Sequence, residues 1–250
     1  MKVALVTGGS RGLGKSMAVH LAQKNYNLIV TYKQSEAQAL ETVKEIEGFG
    51  QQAVALQFDA SAPATLDQFV SDVRAAMQLN WQTDQLDLLV NNAGIGAYSP
   101  IADTTETTFD EMVNIHIKTP FFLTQKLLSS VKDGGNIVNI SSGLTRFTLP
   151  NFGAYAIMKG AVEVMTRYLA VELGHRQITV NTIAPGAIET DFGGGLVRDN
   201  QEVNDLTASR TALGRAGLPD DIGAALAVLV SDDCKWLNGQ RVELSGGTLL

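Results

Sequence analysis

The feature that most constrains the fold is an alternation of short apolar runs with longer amphipathic segments along the whole chain. Seven runs of four or five residues are typical of buried strands: Lys2–Val6, Leu28–Thr31, Ala53–Gln57, Leu86–Val90, Asn136–Ile140, Thr179–Ile183 and Gln240–Leu244. Helical patterns lie between them, near residues 13–24, 35–48, 64–80, 105–131, 153–174 and 219–231. Repeated strand–helix–strand units predict an α/β fold, a doubly wound parallel sheet of about seven strands with helices on both faces.

Length and composition fit one such domain, residues 1–250, because no linker or charge block divides the chain. The net charge of −7 argues against nucleic acid or an anionic membrane as a partner. A single cysteine excludes an intrachain disulfide and a cysteine-based zinc site, and the three histidines show no ligand spacing, so we expect no metal. Without a long apolar run or a signal peptide, we expect a cytoplasmic protein.

A glycine-rich loop, Thr7-Gly8-Gly9-Ser10-Arg11-Gly12-Leu13-Gly14, joins the first strand to a helical pattern that begins at Lys15. Glycines at such a turn let the backbone approach a diphosphate, which binds at the free N–H groups of the helix N-terminus. The spacing Gly8-x3-Gly12-x-Gly14 differs from the literal G-x-G-x-x-G fingerprint. Its position nevertheless predicts a dinucleotide site in a Rossmann-type sheet, with a plain tight turn as the alternative.

The residues after the second strand favour NADP(H) over NAD(H). An NAD site usually places Asp or Glu there to bind the ribose 2′-hydroxyl, whereas this chain has no acid before Glu36. Arg11 and Lys33 instead offer two cations to a 2′-phosphate through charge-assisted hydrogen bonds. The alternative is that both are ordinary surface cations.

Four polar residues form a candidate catalytic set. Tyr155 and Lys159 are four residues apart in a helical pattern, so their side chains share one face. Ser142 follows the fifth strand, and Asn114 lies in the helical pattern before that strand. Two further segments follow the fourth and sixth strands: Asn91–Gly94 and Pro185–Thr190. Because the carboxyl ends of parallel strands meet at one crevice, we expect these groups to lie near the glycine loop.

With these motifs in this order, the sequence resembles the classical short-chain dehydrogenase/reductase family over essentially its whole length, and within it the 3-oxoacyl-[acyl-carrier-protein] reductase-like branch. The resemblance implies that Tyr155 is the general acid and that Lys159 lowers its pKa and binds the nicotinamide ribose. It implies further that Ser142 holds the substrate oxygen and that Asn114 fixes a water that relays protons. From the residue types alone, Ser142 and Asn114 are more often structural, since Ser and Asn commonly cap helices and turns.

The same resemblance implies which residues hold the cofactor. Asp59 is expected at the adenine, the amide of Ile188 at the nicotinamide carboxamide, and Asn91–Gly94 along the pocket wall. The expected cofactor contacts are Gly8, Ser10, Arg11, Gly12, Leu13, Gly14, Lys33, Asp59, Ala60, Asn91, Ala93, Gly94, Tyr155, Lys159, Pro185, Gly186, Ile188 and Thr190.

These features predict an NADPH-dependent oxidoreductase that reduces a small-molecule ketone to the secondary alcohol with Tyr155 as general acid. The alternatives are a 3-oxoacyl-carrier-protein or -CoA reductase, a dehydrogenase working in the oxidative direction, and a non-catalytic NADP(H) sensor. Carrier-protein reductases tend to place basic residues beside the site, where this chain has Val171-Glu172 and the single Lys132. Because this chain has few basic residues at these positions, we favour free ketones as substrates.

Three variable segments are expected to line the mouth of the site: Ile95–Thr104, Gly143–Gly153 and Ala187–Ser209. Their large apolar side chains suggest a hydrophobic pocket, with core or oligomer contacts as the alternative: Tyr98, Leu144, Phe147, Leu149, Phe152, Phe192 and Leu196. We expect Arg146 to be solvated. Residues 185–210, which include Gly193–Gly195, are expected to form a mobile substrate lid, with a plain surface loop as the alternative.

The resemblance also implies a homotetramer built on the helical patterns 105–131 and 153–174 and on the last strand. Four apolar residues extend the second pattern beyond a single buried face: Val162, Met165, Leu169 and Leu173. Ordinary packing against the sheet explains them equally well.

Overall fold

A seven-stranded parallel sheet runs through the centre of the protein, as seen in a computed structural model that describes residues 1–250. In chain order the strands are β1 (Lys2–Val6), β2 (Tyr26–Tyr32), β3 (Ala53–Gln57), β4 (Leu86–Asn91), β5 (Val131–Ile140), β6 (Thr179–Pro185) and β7 (Arg241–Leu244). Their order across the sheet is β3-β2-β1-β4-β5-β6-β7, and every neighbouring pair is parallel. The predicted fold is confirmed.

Helices cover both faces of this sheet. They are α1 (Gly12–Ala22), α2 (Glu36–Glu47), α3 (Leu66–Trp81), α4 (Glu106–Val113), α5 (Thr119–Leu127), α6 (Gly153–Leu173), α7 (Leu196–Asp199), α8 (Gln201–Ser209) and α9 (Pro219–Leu229). A π-helical turn, Asn114–Lys118, joins α4 to α5. None of the helices has the length and apolar character needed to cross a bilayer.

The structure differs from the predicted helices in two places. The pattern 105–131 is divided by the π-helical turn, and it ends early, since α5 ends at Leu127 and buried Val131 begins β5. The polar segment after Gly195, predicted to be irregular, contains α7 and α8. Both helices are shorter than three turns, so their hydrophobic pattern is too brief to be recognised. The Asn200 side chain caps α8 by accepting the N–H of Val203 at 3.1 Å.

Two apolar layers fill the space between the sheet and the helices. Residues of α3, α5 and α6 pack on one face, and residues of α1, α2 and α9 pack on the other. Central strand residues such as Leu88 and Leu89 are fully buried, one in each layer. Burial on both faces explains why the strands read as continuous apolar runs rather than alternating ones.

The strands β1 and β4 lie side by side at the centre of the sheet although two strands and three helices separate them in the chain. The strand order reverses direction at this pair, and a crevice opens there at the carboxyl ends of the strands. The glycine loop after β1, the Asn91–Gly94 segment, Ser142 and Pro185 all lie at carboxyl ends of strands. The topology therefore puts them on the same edge.

Candidate active site

The glycine loop is fastened to the segment that follows β4. The backbone N–H groups of Asn92 and Ala93 donate to Thr7 Oγ1 at 2.9 and 3.0 Å, and Asn92 Nδ2 donates to Thr7 O at 2.8 Å. A Cβ atom at Gly14 would overlap the Gly8 carbonyl oxygen, and Gly8 itself has a φ of +68°. Only glycine fits these two positions, so the loop closes tightly against β4.

The outer surface of the loop fits a phosphorylated dinucleotide. Gly12 has a φ of +54°, and a Cβ there would meet nothing closer than Thr190 at 3.6 Å. No side chain caps the N-terminus of α1, so its N–H groups remain available to an anion. Arg11 lies 3.6 Å from Asp191 with its guanidinium more than half exposed. Open backbone, free N–H groups and an exposed cation are the donors that a diphosphate requires.

Lys33 and Asp59, expected at opposite parts of the adenosine, contact each other. Lys33 Nζ lies 3.1 Å from an Asp59 oxygen and donates to Ser61 Oγ at 3.1 Å. Burial acts to raise the pKa of Asp59, but hydrogen bonds from Ser61 and Lys33 outweigh it and hold that pKa below its usual value. The carboxylate is therefore ionised at neutral pH, and half-exposed Lys33 presents its ammonium beside it.

The other predicted cofactor residues lie along the same edge or beneath it. Thr190 is buried and accepts the N–H of Phe192 at 3.2 Å, while Ile188 forms a bridge with Gly217. Ala60 forms part of the floor, since its carbonyl accepts from Thr119 Oγ1 at 2.8 Å. Four further predicted cofactor residues lie at this edge of the sheet or pack directly beneath it: Ser10, Leu13, Pro185 and Gly186.

Tyr155 and Lys159 occupy the first two turns of α6, and Ser142 lies two residues after the end of β5. Tyr155 is 7% exposed, and burial raises its pKa well above the usual value, an effect that a hydrogen bond with Ser142 partly offsets. Lys159 Nζ lies 5.5 Å from the centre of the Tyr155 ring and donates to Ile140 O at 2.8 Å. Burial lowers the pKa of Lys159 to about 7.

Asn114 begins the π-helical turn, which packs against α6. Such single π-helical turns within α-helices are frequent at functional sites. The turn also carries His116, which is 1% exposed and meets the Tyr155 ring edge-to-face at 5.5 Å. Its Nε2 lies 2.8 Å from Ile95 O, and burial, together with the charge of Lys159, lowers the pKa of His116 to about 3.

His116 is the site residue that the sequence reasoning missed. In the sequence His116 lies far from the other two histidines, and its only signal was its place two residues after Asn114. No group of three or more His, Cys, Asp or Glu side chains is arranged to hold a metal ion.

Aromatic side chains from all three expected mouth segments lie near the tyrosine or near one another. The Phe192 ring lies 5.6 Å from the Tyr155 ring and is close enough that a Cβ at Gly96 would contact it at 3.0 Å. Tyr98 and Phe152 meet edge-to-face at 5.3 Å. Since Tyr98 and Phe192 are largely exposed, these rings form an open aromatic surface beside the buried phenol.

Arg146 is not a solvated side chain, which corrects the expectation. Its guanidinium donates twice to Glu243, at 2.7 and 2.8 Å, and is about one-third exposed. Arg241 donates to the same carboxylate at 2.8 Å and to Glu163 at 2.7 Å. Glu163 in turn accepts from Ser141 Oγ at 2.7 Å. The two carboxylates are mostly buried and require charged partners, so the network ties the loop after β5 to β7.

Comparison with known proteins agrees with this geometry. A family model described as enoyl-(acyl carrier protein) reductase matches residues 8–248. A hydroxynaphthalene reductase-like protein from Metarhizium brunneum is 36% identical, across 99% of this chain and 95% of that protein. A tetrahydroxynaphthalene reductase from Pestalotiopsis fici is 34% identical, across 98% and 91%. The structure of angucycline C-6 ketoreductase LanV with bound NADP superposes with a TM-score of 0.94 at 35% identity, covering 99% of this chain and 95% of LanV.

These matches span nearly the full length of both partners, and the superposition agrees with the fold described above. The chain belongs to the short-chain dehydrogenase/reductase family of oxidoreductases.

Proposed function

We propose that the protein is an NADPH-dependent ketoreductase that acts on a planar, polycyclic aromatic ketone. The observation that carries the proposal is a buried Tyr155 phenol, with Ser142 and Lys159 beside it, beneath an aromatic surface. The names of the relatives, hydroxynaphthalene reductases and an angucycline ketoreductase, support this substrate class. Flat aromatic rings stack favourably on side chains such as Phe192.

In this proposal NADPH supplies a hydride to the carbonyl carbon. Tyr155 donates its phenolic proton to the carbonyl oxygen, and the Ser142 hydroxyl donates a hydrogen bond to that same oxygen. Burial disfavours the phenolate that remains, so it requires a nearby positive charge. The Lys159 ammonium provides that charge. Asn114, on the turn packed against α6, is assigned to the water that returns a proton to Lys159.

The preference for NADPH rests on Arg11 and Lys33. Both are roughly half exposed near the glycine loop, and each already holds a carboxylate, Asp191 and Asp59 respectively. A 2′-phosphate with two negative charges competes with single carboxylates for such cations. LanV, whose structure is similar over nearly its whole length, was solved with NADP.

A homotetramer is proposed as the assembly. On α5, Phe121 and Phe122 meet edge-to-face at 5.2 Å and are both partly exposed. On α6 the exposed apolar residues are Ile157, Val164, Tyr168 and Val171. The expected positions Val162 and Leu173 are instead buried in the core. Exposed large apolar side chains on two helices of the same sheet face are typical of a subunit contact. The free Cys234 is compatible with the reducing cytoplasm, where we place the protein.

The test is NADPH oxidation with three substrates: tetrahydroxynaphthalene, an acetoacetyl thioester of a carrier protein, and ethyl acetoacetate. We expect the highest kcat/KM with the polycyclic substrate, and a loss of about 10²–10⁴-fold in kcat for Tyr155→Phe with NADPH binding retained. NADH runs in parallel as the second cofactor.

The other outcomes each contradict the proposal. Preference for the thioester identifies a carrier-protein reductase. Preference for ethyl acetoacetate identifies a general carbonyl reductase. NADPH binding without turnover of any substrate favours the sensor.

A further inference from the structure

Two buried hydrogen-bond acceptors behind Lys159 have no partner among the protein's own atoms. They are Asn91 Oδ1 and His116 Nδ1. Both residues line one small cavity together with Lys159, and the three are 7%, 1% and 5% exposed. The cavity measures about 10 Å³, close to the ~10–15 Å³ that one water molecule requires. Polar walls and this size are the conditions for an ordered internal water.

The hydrogen-bond partners of His116 fix which ring nitrogen carries the proton. Nε2 lies 2.8 Å from Ile95 O, a carbonyl that can only accept, so Nε2 is the protonated nitrogen. The ring is neutral at pH 7 because burial and the charge of Lys159 lower its pKa. The lone pair of Nδ1 is therefore free to accept a hydrogen bond inside the cavity.

The orientation of the Asn91 amide is fixed in the same way. Asn91 Nδ2 donates to Asn139 Oδ1 at 2.8 Å and to Thr124 Oγ1 at 3.0 Å. Asn139 Nδ2 is itself used as a donor to Thr166 Oγ1 at 2.9 Å, so its oxygen must be the acceptor. Asn91 Oδ1 is consequently left as the second acceptor of the cavity.

Lys159 supplies the matching donors. Its ammonium carries three N–H bonds, and Ile140 O accepts one of them at 2.8 Å. A water that gives its two hydrogens to the two acceptors turns its lone pairs toward the remaining N–H bonds. We propose that His116 is a positioning residue of the reductase site, which with Asn91 orients an internal water that accepts a hydrogen bond from the Lys159 ammonium. This inference rests on the proposed reductase function.

Such a water stabilises the charged form of Lys159 against the effect of burial. When the Tyr155 O–H bond breaks and the alcohol O–H bond forms, the phenolate takes a proton from the ammonium, and the resulting amine takes one from solvent. The water keeps the protonated state of Lys159 favourable through this cycle, because a hydrogen bond to the charged form raises the pKa of an amine.

The other charged groups near α6 do not take the place of this water beside Lys159. Glu163, on the same helix, is held by Arg241 at 2.7 Å. Arg146, after β5, is held by Glu243. The charged side chains of α4 and the π-helical turn are exposed: Glu106, Asp110, Glu111 and Lys118. None of these charged side chains lines the cavity, so His116 and Asn91 supply its free acceptors.

Two substitutions separate the role of Nδ1 from that of Nε2. His116→Gln keeps an amide at the position of Nε2, which retains the bond to Ile95 O but removes the acceptor in the cavity. His116→Asn keeps an amide at the position of Nδ1 and loses the tie to Ile95 O. We expect His116→Gln to move the basic limb of the kcat/KM profile about one pH unit lower, with the KM for NADPH unchanged. His116→Asn should keep the limb within about 0.3 unit.

A readout without turnover keeps this test apart from that of the function. The Lys159 pKa, measured by NMR titration of cofactor-free protein, should fall by about one unit in His116→Gln only. A high-resolution crystal structure should show a water within about 3.2 Å of His116 Nδ1, Asn91 Oδ1 and Lys159 Nζ. An unchanged Lys159 pKa in His116→Gln, an equal fall in both variants, or no such water overturns the inference even if ketone reduction is observed.

Discussion

The Lys159 ammonium is buried, and because burial disfavours its charge we expect ketone reduction to depend on pH. Burial lowers its pKa to about 7, so the ammonium is lost as pH rises through that value. Because the ammonium is the form that stabilises the Tyr155 phenolate, we expect kcat/KM for ketone reduction to be level below about pH 6. Above the pKa of Lys159, which burial lowers to about 7 and the proposed water raises from that value, it should fall about tenfold per unit. A pH profile with saturating NADPH measures this.

Lys159→Arg is the control, since a guanidinium stays charged at every accessible pH. This variant should lose the basic limb near pH 7 even if its maximal rate is low. A wild-type limb that lies above pH 9 would show that Lys159 is not the group that titrates.

Arg11 and Lys33 lead to a prediction about cofactor choice. A charge-assisted hydrogen bond contributes about 1.5–3 kcal/mol, so removing both cations should raise the KM for NADPH at least tenfold. The KM for NADH should change by less than about threefold, because NADH lacks the 2′-phosphate. Steady-state kinetics of Arg11→Ala/Lys33→Ala with both cofactors checks this.

Lys15→Ala provides the matched control, because Lys15 is a further cation at the start of α1, paired with Glu45 at 2.8 Å, that is not assigned to the 2′-phosphate. It should leave both KM values near wild type. Equal losses for NADPH and NADH in the double variant would argue against a 2′-phosphate contact.

Single residues differ in how far the sequence predicts them. Tyr155, Lys159 and Ser142 could be placed together because a helical spacing and a strand end are visible in the sequence, and the structure brings all three into contact range. His116 and Arg146 could not be placed from the sequence. Their partners, Ile95 O and Glu243, are 21 and 97 positions away, and no periodicity encodes such pairs.

At the scale of elements, the network around Glu243 joins β7 to the loop that follows Ser142. Hydrogen bonds from Arg146 and Arg241 lower the pKa of Glu243 to about 2, against about 4.3 in an unfolded chain. The folded value is depressed, so the stabilisation is present above about pH 4.3 and is lost as pH falls toward 2. Glu243→Gln should lower the free energy of unfolding by about 1–3 kcal/mol at pH 7 and by less at pH 3, measured by urea unfolding.

Asp199→Asn is the comparison for Glu243→Gln. Asp199 also pairs with an arginine, Arg198 at 2.7 Å, but both side chains are about half exposed. An exposed pair contributes little, so this variant should change stability by less than about 1 kcal/mol. Equal effects of the two substitutions at pH 7 would contradict the assignment.

The segment between β6 and α7 carries Phe192 over the tyrosine. An aromatic contact contributes about 0.5–1.5 kcal/mol beyond its buried area. We therefore expect Phe192→Leu to lower kcat/KM for tetrahydroxynaphthalene about three- to tenfold and to leave that for ethyl acetoacetate unchanged. Phe192→Tyr, which keeps the ring, should retain the wild-type ratio. Equal losses with both substrates in Phe192→Leu would assign Phe192 a structural role.

The strands were predictable and some helical segments were not, for a physical reason. A strand buried on both faces must be apolar throughout, so β1 has the predicted bounds. The edge strand β3 also has them, although its residues are only partly buried. The π-helical turn holds extra residue length within a turn but does not end the helix, so the pattern of α4 runs on into α5 and 105–131 read as one helix. Mobility of residues 185–210 stays a prediction.

For the whole molecule, the exposed apolar side chains of α5 and α6 predict an assembly that a charge disrupts. Phe122→Glu places a carboxylate in the proposed subunit contact, where its desolvation is costly. We expect wild type to measure four chain masses by light scattering and Phe122→Glu to measure one or two. Leu79→Glu, at an exposed apolar position on α3, should remain tetrameric. Wild-type protein that measures one chain mass would contradict the tetramer.

The central pairing of β1 with β4 also governs when the protein can fold during synthesis. Thr7 Oγ1 donates to Val90 O across 83 positions of sequence, so β1 lacks its inner neighbour until β4 leaves the ribosome. At about 5–20 residues per second, that interval lasts about 4–17 s. During it the nascent chain exposes one edge of an apolar strand, and its cofactor loop has no Asn92 to hold its shape. Because the glycine loop follows the first strand, it is the earliest part of the site to be synthesised. It reaches its binding conformation only after the fourth strand has emerged.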